Sequence, residues 1–378
     1  MASNHLKIAF VRRGYSTSGG AEAYLKRLAM SVSDAGHEAR LFTTSEWPES
    51  AWRFGALTYL EGRTPLRFAD ELERLRPQMD CDVLLSLERV WICDVYRAGD
   101  GVHRAWLDRR ARFTKPIRRV VQGMSPKHLD MLRLEQSLFG RGGARRVIAN
   151  SFMVQSEISR IYGYPAAQID LVHNGVPVDQ FVPAPKRRAA ARGAFGLTED
   201  DIAVLFIGSG WERKGLRFAI NAIEAAANPR LRLLVAGKGN QARYGSPAVK
   251  FIGVADDLQA LYAAGDIFLL PTIYDPFSNA SLEALAAGLP VITTRANGFA
   301  EVMRPEVDGS VIEAADDVRA ITSALRLWCN PSLREETRAR RLELARHYDI
   351  SINVARTLEI LFQAAASAAS TSGKIRKT

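Results

Sequence analysis

Two kinds of hydrophobic pattern alternate along the chain. The run "LKIAFV" (6–11) is short and unbroken, the pattern of a strand buried on both faces. A Gly/Ser loop, "GYSTSGG" (14–20), follows it. Ala21, Leu25, Leu28, Ala29 and Val32 then recur at the spacing of one helical face. Gly36 stops that helix and "EARLFTT" (38–44) starts a second strand, so the chain opens as a βαβ unit. "CDVLLSL" (81–87) and "RVIAN" (146–150) predict further parallel strands. A second series begins at "IAVLFIG" (202–208), with Leu216, Ala219, Ile220 and Ile223 on one helical face. It continues through "RLLVAG" (232–237), "VKFIG" (249–253), "DIFLLP" (266–271) and "LPVITT" (289–294).

Alternation in both halves predicts an α/β protein of two Rossmann-like domains with parallel sheets facing across a cleft, over 1–175 and 176–348. The Pro- and Gly-rich stretch 173–188 is the expected hinge. A C-terminal helix at about 350–365 is expected to pack back onto the first domain, and 366–378 is expected to be a disordered tail.

With 378 residues and 47% hydrophobic, the chain is long enough for two such cores. The net charge of +10 suits an anionic partner. Cys81, Cys93 and Cys329 form no CxxC pair, which favours a reducing cytosol. The apolar run near the N-terminus is too short for a signal peptide, and no stretch is long enough to span a membrane. The expected location is cytoplasmic.

Ligands of open α/β sheets gather where strands run into helices, so each motif is judged by that position. "FIGSGWERKGLRFAI" (206–220) puts Arg213 and Lys214 at such a junction, where fixed positive charge and free helix amides suit phosphate oxygens. It is not a P-loop, because no GK pair is present. Gly19 and Gly20 form a second junction, able to bring backbone amides close to a ligand. "VAGKGNQA" (235–242) fits GxGxxA, with Asp257 twenty residues beyond Gly237. Too few residues precede the next strand for a crossover helix, so it reads as a loop carrying Lys238 near a base or sugar.

"DCD" (80–82) precedes its strand and sits at the wrong end of the sheet for a metal site. No other cluster has metal-ligand spacing, and neither a metal nor any other cofactor is expected. "WLDRRARFTKPIRRVV" (106–121) sets six basic residues against one acid, Asp108, with apolar and aromatic residues between them. The segment 104–121 is therefore a candidate contact with an anionic membrane surface, as two short helices broken at Pro116. Its basic residues do not alternate with stacking aromatics, so nucleic acid is not an expected partner.

The stretch "YDPFSNASLEALAAGLPVIT" (274–293) carries the most chemistry. Ser278 and Asn279 can cap a helix that Gly288 and Pro290 end. Asp275 before the cap and Glu283 within the helix bracket its free amides. Carboxylates accept sugar hydroxyls, and amides and cations bind phosphate, so a nucleotide sugar fits the set.

On these residues the chain resembles glycosyltransferase family 4, the retaining transferases of the GT-B fold. The E-x7-E motif reads "DPFSNASLEALAAGLPV", with "WERKGL" and "SGGAE" in the family's places; "NGV", "AAGDIFLLPT" and "ANSFM" also fall where the family has them. The likeness spans about 7 to 345 and departs where Asp275 replaces the usual Glu.

The resemblance implies that Glu283 binds the ribose hydroxyls and Asp275 the donor hexose. It implies that Arg213 and Lys214 hold the diphosphate, aided by Gly19, Gly20, Ser278 and Asn279, with Phe277 a further donor-binding residue of the same loop. "YRAGDGVHRAW" (96–106), expected to follow a strand and a short helical piece, makes Asp100 and His103 acceptor-side candidates. Within the family, lipopolysaccharide-core hexosyltransferases are most similar. The implied activity is metal-independent transfer of a hexose from a nucleotide-diphosphate sugar, a UDP-sugar for preference, to a glycolipid or oligosaccharide acceptor. It would take place at the inner face of the cytoplasmic membrane. A nucleotide-sugar epimerase of the same fold is the alternative.

Overall fold

The structure is a computed structural model, and it describes residues 5–15, 20–114, 125–182 and 185–375. The chain divides into two compact units. One is Met1–Val172 together with Val354–Thr378, and the other is His173–Asn353.

The first unit is built on strands β1 (Lys7–Val11), β2 (Glu38–Thr43), β3 (Leu57–Tyr59), β4 (Val83–Ser86), β5 (Cys93–Arg97), β6 (Ala144–Ala149) and β7 (Ile169–Leu171). All neighbours pair in parallel, in the order β3-β2-β1-β4-β5-β6-β7. The second carries β8 (Ile202–Ile207), β9 (Leu231–Ala236), β10 (Val249–Gly253), β11 (Ile267–Leu270), β12 (Val291–Thr294) and β13 (Gly309–Ile312). These are again parallel, in the order β10-β9-β8-β11-β12-β13. The unbroken apolar strands are the buried centres of the sheets: every residue of β8, β11 and β12 is buried.

Strand order reverses between β1 and β4 in one sheet and between β8 and β11 in the other. At such switch points the flanking loops diverge and leave a crevice at the carboxyl ends of the strands. The residues singled out in the sequence follow β1, β5, β8, β9 and β11.

Two local expectations are corrected. The stretch before Tyr96 is not helical: Cys93–Arg97 is strand β5, paired with β4 and β6. Its alternation is hidden because both sheet faces are covered, so Cys93, Val95, Tyr96 and Arg97 are all buried. The tail expected to be disordered from 366 is helical as far as Ile375. Alanine dominates "FQAAASAAS" and carries the highest helix propensity, so the preceding helix continues through it. That helix, Ile350–Ile375, meets the first unit through a Tyr24–Thr357 hydroxyl contact of 3.0 Å and an edge-on His37–Phe362 ring pair. Among the described residues, no helix is long and apolar enough to cross a membrane.

Candidate active site

In the second unit, two loops at the switch point are locked together by backbone contact. Gly215 has φ +79°, and a Cβ there would lie 1.9 Å from the Pro271 carbonyl, so only glycine permits the approach. The Arg213 carbonyl then accepts from Ile273 N at 2.8 Å and from Thr272 Oγ1 at 2.9 Å. These bonds set the loop after β8 against the loop after β11 and bring Lys214 onto Asp275 as a direct ion pair. Its side chains are only 12% and 6% exposed, so it is shielded from water. Arg213 reaches the Tyr274 carbonyl at 3.4 Å.

A buried asparagine shapes the rest of the loop. Asn297, 1% exposed, accepts from Ser278 N and Phe299 N at 3.2 and 3.1 Å. Its amide donates to Thr293 Oγ1 at 3.0 Å and to Ser281 Oγ at 3.4 Å. Asp275 is held by its backbone, N to Ala296 O and O from Gly298 N, both 2.9 Å. Ser278 caps the helix Asn279–Ala286, its hydroxyl accepting from Ser281 N at 3.2 Å. Asn279 is the first residue of that helix. Its Oδ1 accepts from Asn174 Nδ2 at 2.8 Å, and Asn174 also donates to the Phe277 carbonyl at 3.1 Å. The Phe277 ring is buried against Phe299, His173 and Tyr348 and anchors the loop in the core.

Glu283 lies one helical turn further on and is half-buried. The fully buried Tyr262 donates to its Oε2 at 2.8 Å and to the Ala280 carbonyl at 3.1 Å. Burial pushes the Glu283 carboxyl up to about 7, against the opposing pull of the Tyr262 hydroxyl and the Lys214 charge. Lys214 thus pairs with one acid of the motif and acts electrostatically on the other.

Lys238 sits in the loop after β9, its backbone N donating to Ser209 Oγ at 3.1 Å. The glycines beside it have packing reasons. A Cβ at Gly237 would come to 2.4 Å from the Gly208 carbonyl, and one at Gly239 to 2.2 Å from the Trp211 indole. A short turn, Gln241–Arg243, and not a crossover helix, leads to β10.

In the first unit, Gly20 opens the helix Gly20–Asp34, while Gly19 lies outside the described residues. Arg12 follows β1 and joins Glu88, which follows β4, at 2.7 Å and Glu22 at 3.1 Å. Asp100 is exposed in the turn after β5, and its charge bears on Arg12 and Arg89.

His103 starts the helix His103–Ala111, whose N-cap, Val102, offers no side-chain acceptor. The cap comes from elsewhere. The fully buried Glu135 accepts from His103 N at 2.5 Å and Arg104 N at 3.2 Å, and also from Arg89 Nε at 3.0 Å and Tyr162 Oη at 2.8 Å. The His103 ring meets His128 at 3.0 Å, and burial, with Arg89 nearby, pushes it down to about 3, so it is neutral at physiological pH. Of the basic segment, Arg109 is committed to Glu157 at 2.7 Å, and residues 115–121 lie outside the described residues. Among the described residues, no three His, Cys, Asp or Glu side chains are grouped to hold a metal.

Comparison with known proteins assigns the family. The model for glycosyltransferase family 4 matches residues 18–180, and that for group 1 glycosyl transferases matches 201–330. A probable transglycosylase from Burkholderia thailandensis is 30% identical over 297 residues, covering 76% of this chain and 77% of that protein. The chain belongs to glycosyltransferase family 4. The fold is GT-B: WaaG, a glycosyltransferase involved in lipopolysaccharide biosynthesis, superposes with a TM-score of 0.79 at 20% identity, over 94% of this chain and 99% of that one. HepE from Anabaena, solved with UDP and glucose, gives 0.71 at 19% identity, over 94% and 99%. At those identities the likeness is one of fold. Other curated relatives are matched over less than half their length, 46% of an uncharacterized glycosyltransferase from Methanocaldococcus jannaschii and 44% of a D-inositol 3-phosphate glycosyltransferase from Mycobacterium tuberculosis.

Within this glycosyltransferase, the structure brings Arg213, Lys214, Asp275, Ser278, Asn279 and Glu283 into two loops and one helix of a single unit. Sequence reasoning missed Asn297, Tyr262 and Glu135, which hold those residues or His103 in place. An "NG" pair at 297–298 signals a turn, but nothing in the string announces that the asparagine is buried.

Proposed function

We propose that this glycosyltransferase moves a hexose from a UDP-sugar to a glycolipid acceptor such as lipopolysaccharide core, with retention of configuration and without a metal ion. The observation that carries this reading is the shielded Lys214–Asp275 pair, set at the switch point with Glu283 beside it. An ammonium has three donors and can keep Asp275 while donating to a phosphate oxygen. The likeness to HepE, solved with UDP and glucose, supports the UDP donor, and the likeness to WaaG supports the lipopolysaccharide acceptor.

In this mechanism Glu283 accepts the ribose hydroxyls and Asp275 accepts hydroxyls of the donor hexose. Arg213 and Lys214 take up the charge that grows on the diphosphate as the C1–O bond breaks, aided by the amide at Asn279; the Ser278 amide, expected from the sequence to help, is instead committed to Asn297 Oδ1. Preplaced charge of this kind stabilises the leaving group without reorganisation. The acceptor oxygen attacks C1 from the face being vacated, and its proton passes to the departing phosphate oxygen. Asp100 orients the acceptor hydroxyl, while neutral His103 offers it a hydrogen bond. The sequence motif assigns Lys238 to the base or sugar, and the family resemblance assigns Gly19 and Gly20 to the diphosphate. The basic segment 104–121 holds the enzyme at an anionic membrane surface, where a lipid-linked acceptor resides.

The test is a donor screen with lipid A-core acceptor, following UDP release and the anomeric configuration of the product. Release of UDP with one donor, a retained anomer and indifference to EDTA are expected. Lys214→Ala should lower turnover at least about tenfold, as loss of a charge-assisted phosphate contact does. No release with any donor, or an unchanged rate in the variant, would remove the reading.

A further inference from the structure

The sheet of the second unit has another structured end. Where β11 and β12 begin, opposite the loops that carry Lys214, lies a cavity of about 310 Å³. Arg188, Arg334, Arg338 and Arg341 line it, and the carboxylates on its wall are Asp266 and Glu335. The acids do not balance the arginines. Asp266 already serves Arg188 at 2.8 Å, Arg192 at 3.0 Å and Arg334 at 3.6 Å. Glu335 stands 3.6 Å from Arg338 and is largely exposed, so it neutralises little.

Arg341 is the least expected of these residues. It is 1% exposed, yet among the described residues no carboxylate lies within ion-pair distance. Its Nε donates to Gly288 O at 2.9 Å and its Nη1 to Val307 O at 3.1 Å; Nη2 donates to the Arg334 carbonyl. Asp308, which lies nearby, is taken by Arg304 at 2.9 Å. A buried guanidinium held only by neutral acceptors leaves its charge to act on the adjacent cavity.

Arg338 is the least committed of the group, its ion pair being the 3.6 Å contact with the exposed Glu335. Its guanidinium makes no hydrogen bond among the described residues, and its stem lies over Gly288, where an added Cβ would come within 3.1 Å of it. A planar fork of this kind matches phosphate oxygens two at a time. The volume is at the lower end of small-molecule sites, roughly 300–1,000 Å³.

We infer that this cavity is a second anion site, separate from the donor loops, that takes a multivalent phosphate-class anion, either free phosphate or a small phosphate monoester. Arg338 and Arg334 contact the phosphate, and Arg341 supplies a fixed positive potential behind them.

Inorganic phosphate is the probe, with melting temperature followed against sodium chloride at equal ionic strength. Phosphate should stabilise the full-length protein beyond chloride, and Lys214→Ala should retain the effect, since it touches only the donor loops. Arg338→Gln should weaken phosphate binding by about tenfold or more. Glu335→Gln, which removes an exposed acid from the wall, should strengthen it a few-fold. Stabilisation no greater than by chloride would overturn the assignment. So would loss of the effect in Lys214→Ala, or phosphate affinity unchanged in both Arg338→Gln and Glu335→Gln.

Discussion

Replacing Glu283 with glutamine keeps an acceptor for the Tyr262 hydroxyl and removes a charge that burial disfavours. In the folded protein this carboxyl titrates at about 7, against 4.5 for an ordinary glutamate. Between those two pH values the folded state holds a proton that the unfolded state has lost. Stability from this group is therefore fully present below pH 4.5 and is lost progressively as pH rises to about 7, then stays level. At about 1.4 kcal/mol for each pH unit, the loss is about 3 kcal/mol. A unit of this size shifts by roughly 2–4 °C per kcal/mol, so the loss corresponds to roughly 6–12 °C. Differential scanning fluorimetry of both proteins from pH 4.5 to 8 measures it. Their melting temperatures should coincide near pH 4.5 and separate as pH rises, with Glu283→Gln the more stable at pH 8. The same variant should bind UDP more weakly at pH 8, because the ionised carboxylate is the stronger acceptor for ribose hydroxyls. A difference in melting temperature that does not change with pH would refute the argument that burial controls Glu283.

Two further changes test the supports of the site. Asn297→Ala leaves the Ser278 and Phe299 amides without their buried acceptor and should cost about 3 kcal/mol, read as a lower melting temperature together with a raised donor KM. Glu135→Gln leaves the buried Arg89 without its counter-charge and should cost about 3–5 kcal/mol, measured by urea unfolding; an effect below about 1 kcal/mol would mean that Arg89 finds another partner.

The fold was legible because parallel strands covered on both faces are written as unbroken apolar runs, as in "IAVLFIG" and "DIFLLP". Some strands that lack such runs were not legible. β5 carries Asp94 and Arg97 within its five residues, and β13 opens on a glycine whose added Cβ would meet the Val291 carbonyl at 1.8 Å. The Ser278 cap could be read because capping is a local hydrogen bond with a local residue preference. The Lys214–Asp275 pair could not: the residues are 61 apart and meet only because β8 and β11 are neighbours at the switch point. Glu135 sits in "LRLEQS", where an acid in a helix reads as a solvated face. Its burial depends on Arg89, 46 residues away, and on a helix whose own N-cap is a valine.

Calorimetric titration of UDP into the protein and into Lys214→Ala addresses the central claim most directly. One UDP should bind per chain, with affinity at least about tenfold weaker in the variant and an added loss at high salt. UDP that fails to bind, or binds both proteins equally, would contradict a diphosphate held by Lys214 beside Asp275 and Glu283.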